Sequence, residues 1–205
     1  MSTFRYILWV AVFLLGTFLA YQTAMWTLNR NSGGVSFGTA NIGGPFEAVR
    51  ADGSLVTQTD MIGKPHMVFF GFTHCPDVCP TTLYEAGQWM EKLGPDGERV
   101  SAWFVTVDPE RDTPEILSQY LSAFDTRIDG ITGSPEQIAG MVKQWRVFAQ
   151  KQDTGEGDYT MNHTASTFLM KSDGTFFGTI AYGENAETAV KKLQRLIDAD
   201  VGAGS

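Results

Sequence analysis

The stretch MVFFGFTHCPDVCP, residues 67–80, runs from an apolar hexamer directly into a loop that holds both cysteines of the chain, Cys75 and Cys79. An apolar run this short reads as a central strand buried on both faces. After it, residues 80–93 place Leu83, Ala86, Met90 and Leu93 at helical spacing until Gly94 and Pro95 stop the pattern. Both cysteines therefore fall at a strand-to-helix junction, where free backbone N–H groups and the helix dipole favour thiolate over thiol.

Working outward, residues 46–49 and 55–57 flank the turn signal ADGS at 51–54 and predict an opening hairpin. Downstream, 100–107 (VSAWFVTV) is a second buried strand. Thr113 before Pro114, and Ser134 before Pro135, pair an N-cap residue with a first-turn proline, predicting helices over 114–124 and from 135 to about 145. Strand-like runs at 165–170 and 175–180 surround KSDG, a second hairpin, and an amphipathic helix follows over 186–197. This order gives an α/β fold, a thioredoxin-like mixed sheet flanked by helices.

The 205 residues suit one such domain plus a short extra segment. No charge lies between Arg5 and Arg30, and residues 6–20 are almost continuously apolar, close to the roughly 20 residues that span a bilayer. No clean small-x-small cleavage site follows, and Trp26 resembles an interfacial anchor. The expectation is an uncleaved, single-pass membrane anchor over 1–28, a flexible glycine-rich linker over 29–44, and a thioredoxin-like domain over 45–200. The short N-terminal tail would stay cytoplasmic, so the domain of this inner-membrane protein would face the periplasm or an equivalent space. The 15 Lys and Arg less Arg5 and Arg30 leave 13 against 23 Asp and Glu, a net charge of −10 over residues 31–205. That balance disfavours a nucleic-acid partner.

Thiols facing an oxidising compartment require an explanation. A structural disulfide here would close too short a loop to stabilise much. The three residues between Cys75 and Cys79 exceed the two of common thioredoxin-type redox motifs, so thiol exchange stays open and metal chelation gains ground. Two thiolates are soft ligands suited to Cu(I), and an added imidazole would also accept Cu(II) or Zn(II). A closed structural zinc site usually takes four protein ligands. Only His66, His74 and His163 could join the cysteines. His66, just ahead of the strand, is expected at the surface, and His74 is expected exposed or behind the ligands. His163, within DYTMNHTAS at 158–166, is expected in a loop, and spacing alone cannot bring it to Cys79, 84 positions away.

The ten residues Gly71-Phe72-Thr73-His74-Cys75-Pro76-Asp77-Val78-Cys79-Pro80 resemble the Sco/SenC family of copper-binding proteins for cytochrome c oxidase assembly. The resemblance continues in VDPERDTP at 107–114, in 159–164 around His163 and in IGGPF at 42–46, covering about 42–198. It implies a thioredoxin-like fold anchored by one N-terminal helix, with Cys75, Cys79 and His163 binding one copper ion as Cu(I) or Cu(II). It also implies delivery of copper to the binuclear centre of cytochrome c oxidase subunit II, or reduction of that centre's thiols, with a periplasmic copper donor as a further partner. The residue before the histidine, often an acid in this family, is Asn162 here.

Three activities follow as expectations. A metallochaperone would pass copper by thiolate exchange without turnover. A thiol:disulfide oxidoreductase would use Cys75 and Cys79 as attacking and resolving thiols. A peroxiredoxin-like peroxidase ranks last, because no arginine neighbours the cysteines in sequence to stabilise a peroxide transition state.

Overall fold

The computed structural model describes residues 9, 14–18, 21–22, 42–155 and 157–201. The expected anchor over 1–28 and linker over 29–44 lie largely outside the described residues; 9, 14–18 and 21–22 are helical. No helix among the described residues is long and apolar enough to cross a membrane. The remaining description concerns the compact unit that begins at Asn41.

That unit opens with the expected hairpin, β1 (Glu47–Arg50) and β2 (Leu55–Thr57), followed by a one-turn helix α1 (Gln58–Met61). Strand β3 (His66–Gly71) is buried at every position. It leads into α2 (Val78–Lys92), a 3-10 turn (Gly94–Arg99) and β4 (Ser101–Thr106). Next come α3 (Pro114–Leu121), β5 (Ile128–Thr132) and α4 (Pro135–Gln144). The hairpin β6 (Ala149–Gly155) and β7 (Asp158–His163) then precedes β8 (Thr167–Met170), β9 (Phe176–Ile180) and α5 (Ala186–Val201).

Seven strands form one sheet in the order β2-β1-β5-β4-β3-β8-β9, while β6 and β7 pair separately. β3, β4 and β5 are parallel, as their helical crossovers require, and β8 returns antiparallel on the other side of β3. The mixed thioredoxin-like sheet flanked by helices is thus present. Its centre is apolar on both faces because helices cover both, so Phe70, Phe104 and Ile131 have no exposed surface.

Three expectations need correction. His66 is the first residue of β3 and only 2% exposed, because β4 and β8 flank the strand from its first position, Ser101 on one side and Met170 on the other. Burial lowers its pKa, and Nδ1 lies 2.9 Å from the Lys64 carbonyl. His163 ends a strand, opposite Ala149 in the β6–β7 ladder, and is not in a loop. The helix after Thr113 stops at Leu121, with Ser122 as its C-cap.

Candidate metal centre

The site forms where β3 ends and α2 begins. Cys75 lies in the loop and Cys79 is the second residue of the helix, and the Cys79 backbone N–H donates to the Cys75 sulfur at 3.4 Å. A helix start leaves its first N–H groups without intrahelical partners, and here a sulfur fills the place a capping oxygen usually takes. Cys75 is half-buried and Cys79 has no exposed surface; neither is in a disulfide.

A hydrogen bond from Cys79 holds the Cys75 thiol far below its ordinary range, at about 3, against the opposing effect of burial. His163 and the N–H groups of Asp77 and Cys79 act in the same direction. That same hydrogen bond, together with burial, pushes Cys79 up. The pair therefore gives up one proton readily and the other reluctantly, leaving a thiolate at the accessible sulfur and a thiol at the buried one.

Cys79 reaches its position because Gly71, one residue from the end of the buried stretch, has no side chain. A Cβ at Gly71 would lie 2.8 Å from the Cys79 sulfur and 2.7 Å from Phe104 Cε2. Across from it, His163 Nε2 is 3.6 Å from the Cys79 sulfur. The other ring nitrogen, Nδ1, lies 3.0 Å from the Thr164 carbonyl, which can only accept. Nδ1 is therefore engaged by that carbonyl, which turns the Nε2 edge of the ring toward the sulfurs. Phe69 and Phe72 meet the imidazole edge-on, with centroids at 6.0 and 5.8 Å, and fix its plane. The ligand-capable atoms of Cys75, Cys79 and His163 all lie within 4.8 Å of one another.

Neither of the other histidines belongs to this cluster. His74 points outward, its side chain 52% exposed, as expected. His66 sits at the opposite end of β3. Asn162 bonds across the hairpin to Gln152, so it faces away from His163 on the alternating strand.

The residues that hold the centre together come from 107–114, a segment the sequence marked by resemblance without assigning it a role. Asp112 is fully buried and accepts from the Thr73 N–H at 3.1 Å, the Thr73 hydroxyl at 2.6 Å and the Thr106 hydroxyl at 2.5 Å. It thereby ties the cysteine loop to β4, at the cost of a pKa raised by burial. Asp108 pairs with Arg111 and accepts from the Tyr159 hydroxyl at 2.9 Å. Alternating charges beside two prolines look like a solvated loop; their place directly after a buried strand was the one available hint of burial. Tyr120 was also overlooked: its buried hydroxyl finds no partner among the described residues, and burial followed by the nearby cysteines pushes its pKa up.

Two sulfurs and an imidazole nitrogen, converging where Cys75 and His163 are only partly buried, form a donor set of the kind that takes Cu(I) in three-coordinate geometry. The donor set fits copper better than a closed zinc site, which would want a fourth protein ligand.

The sequence profile described as SCO1/SenC matches residues 36–198 of this chain. The chain is 36% identical over 191 residues to a mitochondrial SCO1 homolog 1 of Arabidopsis thaliana, covering 86% of this chain and 57% of that protein. It is likewise 36% identical over 137 residues to SenC of Rhodobacter capsulatus, covering 67% of this chain and 62% of that one. The chain thus spans less than two thirds of the length of these curated relatives. Among solved structures it is similar to Bradyrhizobium japonicum ScoI with copper bound, at 45% identity and a TM-score of 0.70, covering 76% of this chain and 99% of that one.

Proposed function

The chain belongs to the SCO1/SenC family, and on that premise we propose that it is a copper metallochaperone whose cargo is held by Cys75, Cys79 and His163. The observation that carries this reading is the convergence of two sulfurs and an imidazole nitrogen within 4.8 Å, in a chain 45% identical to a relative solved with copper bound. Copper enters as Cu(I) or Cu(II). The Cys75 thiolate meets it first, since it is charged and the more accessible of the two sulfurs; the buried Cys79 then binds as its proton leaves, and the oriented Nε2 of His163 completes the set.

Delivery is by thiolate exchange, one ligand at a time, to the binuclear copper centre of cytochrome c oxidase subunit II. A periplasmic donor would load the carrier. We infer the rest of the setting from the apolar N-terminal stretch: one anchor helix within 1–28 in the inner membrane, a spacer over 29–44, and the domain over 45–200 in the periplasm or an equivalent space.

One observation favours a second activity at the same site. A thiolate at Cys75 with a thiol behind it is the arrangement of a thiol:disulfide reductase. The Cys75 thiolate would attack a target disulfide and displace one target thiolate. Cys79, losing its proton, would then attack Cys75, expelling the second and leaving a Cys75–Cys79 disulfide that an external thiol reductant must reopen. Arg111 comes 5.9 Å from the Phe72 ring in the fold, yet its pairing with Asp108 commits it, so the peroxidase reading gains little.

The test mixes reduced full-length protein, loaded with one equivalent of Cu(I), with an apo copper-centre domain in its disulfide and dithiol forms. Metal transfer to the dithiol form, abolished by His163→Ala, supports the chaperone. Reduction of the disulfide form without metal movement, unaffected by His163→Ala, would transfer the assignment to the reductase.

A further inference from the structure

We propose that Arg111 is the positioning residue of the site: it holds the hairpin that carries His163 against the loop that carries the cysteines, and so decides whether the third ligand is in reach. His163 stands on the β6–β7 hairpin, which forms its own two-stranded sheet. Its outer strand is exposed from Gln150 to Gly155. The hairpin therefore needs side chains to keep it in register with a metal site built on the main sheet.

Arg111 touches both parts. Its guanidinium stacks 3.7 Å over the Tyr159 ring and donates from Nη1 to the Tyr159 carbonyl at 3.0 Å, both on β7. The same group lies 5.9 Å over Phe72, the residue that leads into the cysteine loop and that packs edge-on against His163. Nε is fixed by the buried Asp108 carboxylate, which also accepts the Tyr159 hydroxyl, closing a triangle of Arg111, Asp108 and Tyr159. Nη2 is buried without a partner among the described residues, so the cation faces inward rather than into solvent.

Besides the Tyr159 hydroxyl bond to Asp108 within that triangle, Lys151 meets Glu110 at 3.0 Å, but both side chains are exposed, an arrangement that contributes little. Ala149 and Met161 add apolar contact with the core, but such contact is non-directional and sets no register. Arg111 alone combines a stack with a fork of fixed geometry, and lysine cannot copy that combination.

Arg111 reaches no ligand atom itself and acts through Tyr159 and Phe72. The effect on hairpin order stands independently of any metal; only the effect on cargo rests on the copper reading. The experiment uses the full chain with Arg111→Lys, which keeps a charge for Asp108, and Arg111→Ala. In reduced, metal-free protein, amide exchange in peptides covering 149–163 should quicken roughly tenfold in Arg111→Lys, with peptides from β3 and β4 unchanged.

In Cu(I)-loaded protein challenged with excess chelator, Arg111→Lys should release metal several-fold faster, and the difference should vanish in a His163→Ala background. Unchanged hairpin exchange in Arg111→Lys would overturn the proposal. So would faster copper loss that persists without His163, because Arg111 would then act on the cysteines or on the fold as a whole. If wild-type protein held no copper, the copper reading would fail, and the exchange arm would still decide whether Arg111 holds the hairpin. If Arg111→Ala fails to fold, Arg111→Lys carries both arms.

Discussion

In a Gly71→Ala variant the added methyl carbon would arrive 2.7 Å from Phe104 Cε2, 2.8 Å from the Cys79 sulfur and 3.0 Å from Phe69 Cε1. Ordinary carbon contacts sit at about 3.5–4.0 Å, so each neighbour must retreat by a large fraction of an ångström. Phe104 has no exposed surface and Phe69 only 3%, so both rings are hemmed in. Cys79 has no exposed surface either, so the crowding must be relieved by a shift of the start of α2 that carries it. Overpacking of this kind costs about 1–3 kcal/mol; at about 2 kcal/mol the folding constant drops roughly 30-fold. Metal–ligand distances tolerate only about 0.2 Å, so copper affinity should suffer beyond the loss of stability. Urea denaturation of the reduced, metal-free protein should show a lower Cm at unchanged m-value, and competition against a Cu(I) chelator should show binding weakened by at least about tenfold. Gly178→Ala is the control, since nothing lies within 4 Å of a Cβ there; it should shift stability by less than about 0.5 kcal/mol. Wild-type Cm and wild-type copper affinity in Gly71→Ala would refute the idea that this close approach places Cys79.

Asp112→Ala strips acceptors from the Thr73 N–H and from the Thr73 and Thr106 hydroxyls. A loss of about 3 kcal/mol or more is expected, measured by thermal or urea unfolding, with Cys75 becoming more mobile as its loop comes free. Alkylation of Cys75 should run at an almost constant rate over roughly pH 5 to 8, where an ordinary thiol accelerates steeply; a rate rising tenfold per pH unit would contradict the thiolate assignment. Because Cys75 titrates near 3 in the folded chain, against a reference of 9.0, the folded dithiol binds fewer protons than the unfolded chain between those values. Stability should therefore climb with pH across that window and fall above it, where unfolded Cys79 ionises and folded Cys79 does not. Oxidation to the Cys75–Cys79 disulfide removes both sulfur donors, so Cu(I) titration of the oxidised protein should show no stoichiometric binding until reductant is added.

The half of the site on β3 and α2 was legible because its signals are local: an apolar run, a loop with both cysteines, and helical spacing that resumes at Leu83. His163 was not, since no local pattern reports a contact made across 84 residues; resemblance supplied it. The strand β5 escaped notice because Asp129 and Gly130 break its apolar run. Asp129 is there to pair with Arg50 on β1, and Gly130 leaves room for Leu121, which an added Cβ would meet at 2.6 Å. β6 reads AQKQDTG and is exposed along almost its whole length, so neither alternation nor apolarity marked it. Arg111 and Asp112 stand in a charged, proline-flanked stretch with no apolar periodicity of its own. Their burial is set by tertiary partners in the cysteine loop and on β4 and β7, and that is information a linear pattern does not carry.

The long separation of Cys79 and His163 has a consequence for how strongly a disordered copy of the same chain could compete for metal. Two groups 84 residues apart on a flexible chain meet rarely, and closing such a ring costs about 4 kcal/mol. Only the neighbouring thiols would remain at high effective concentration, so an unfolded chain would be a two-sulfur ligand, and the native topology would add the nitrogen at almost no entropic cost. The fold would thereby contribute up to roughly three decades of affinity that the ligands alone lack. Every element threaded between the two ends, from the rest of α2 through β4, α3, β5, α4 and β6 to β7, would share in holding the ring closed. Substitutions in those elements, far from any sulfur or imidazole, would then be felt as changes in copper affinity.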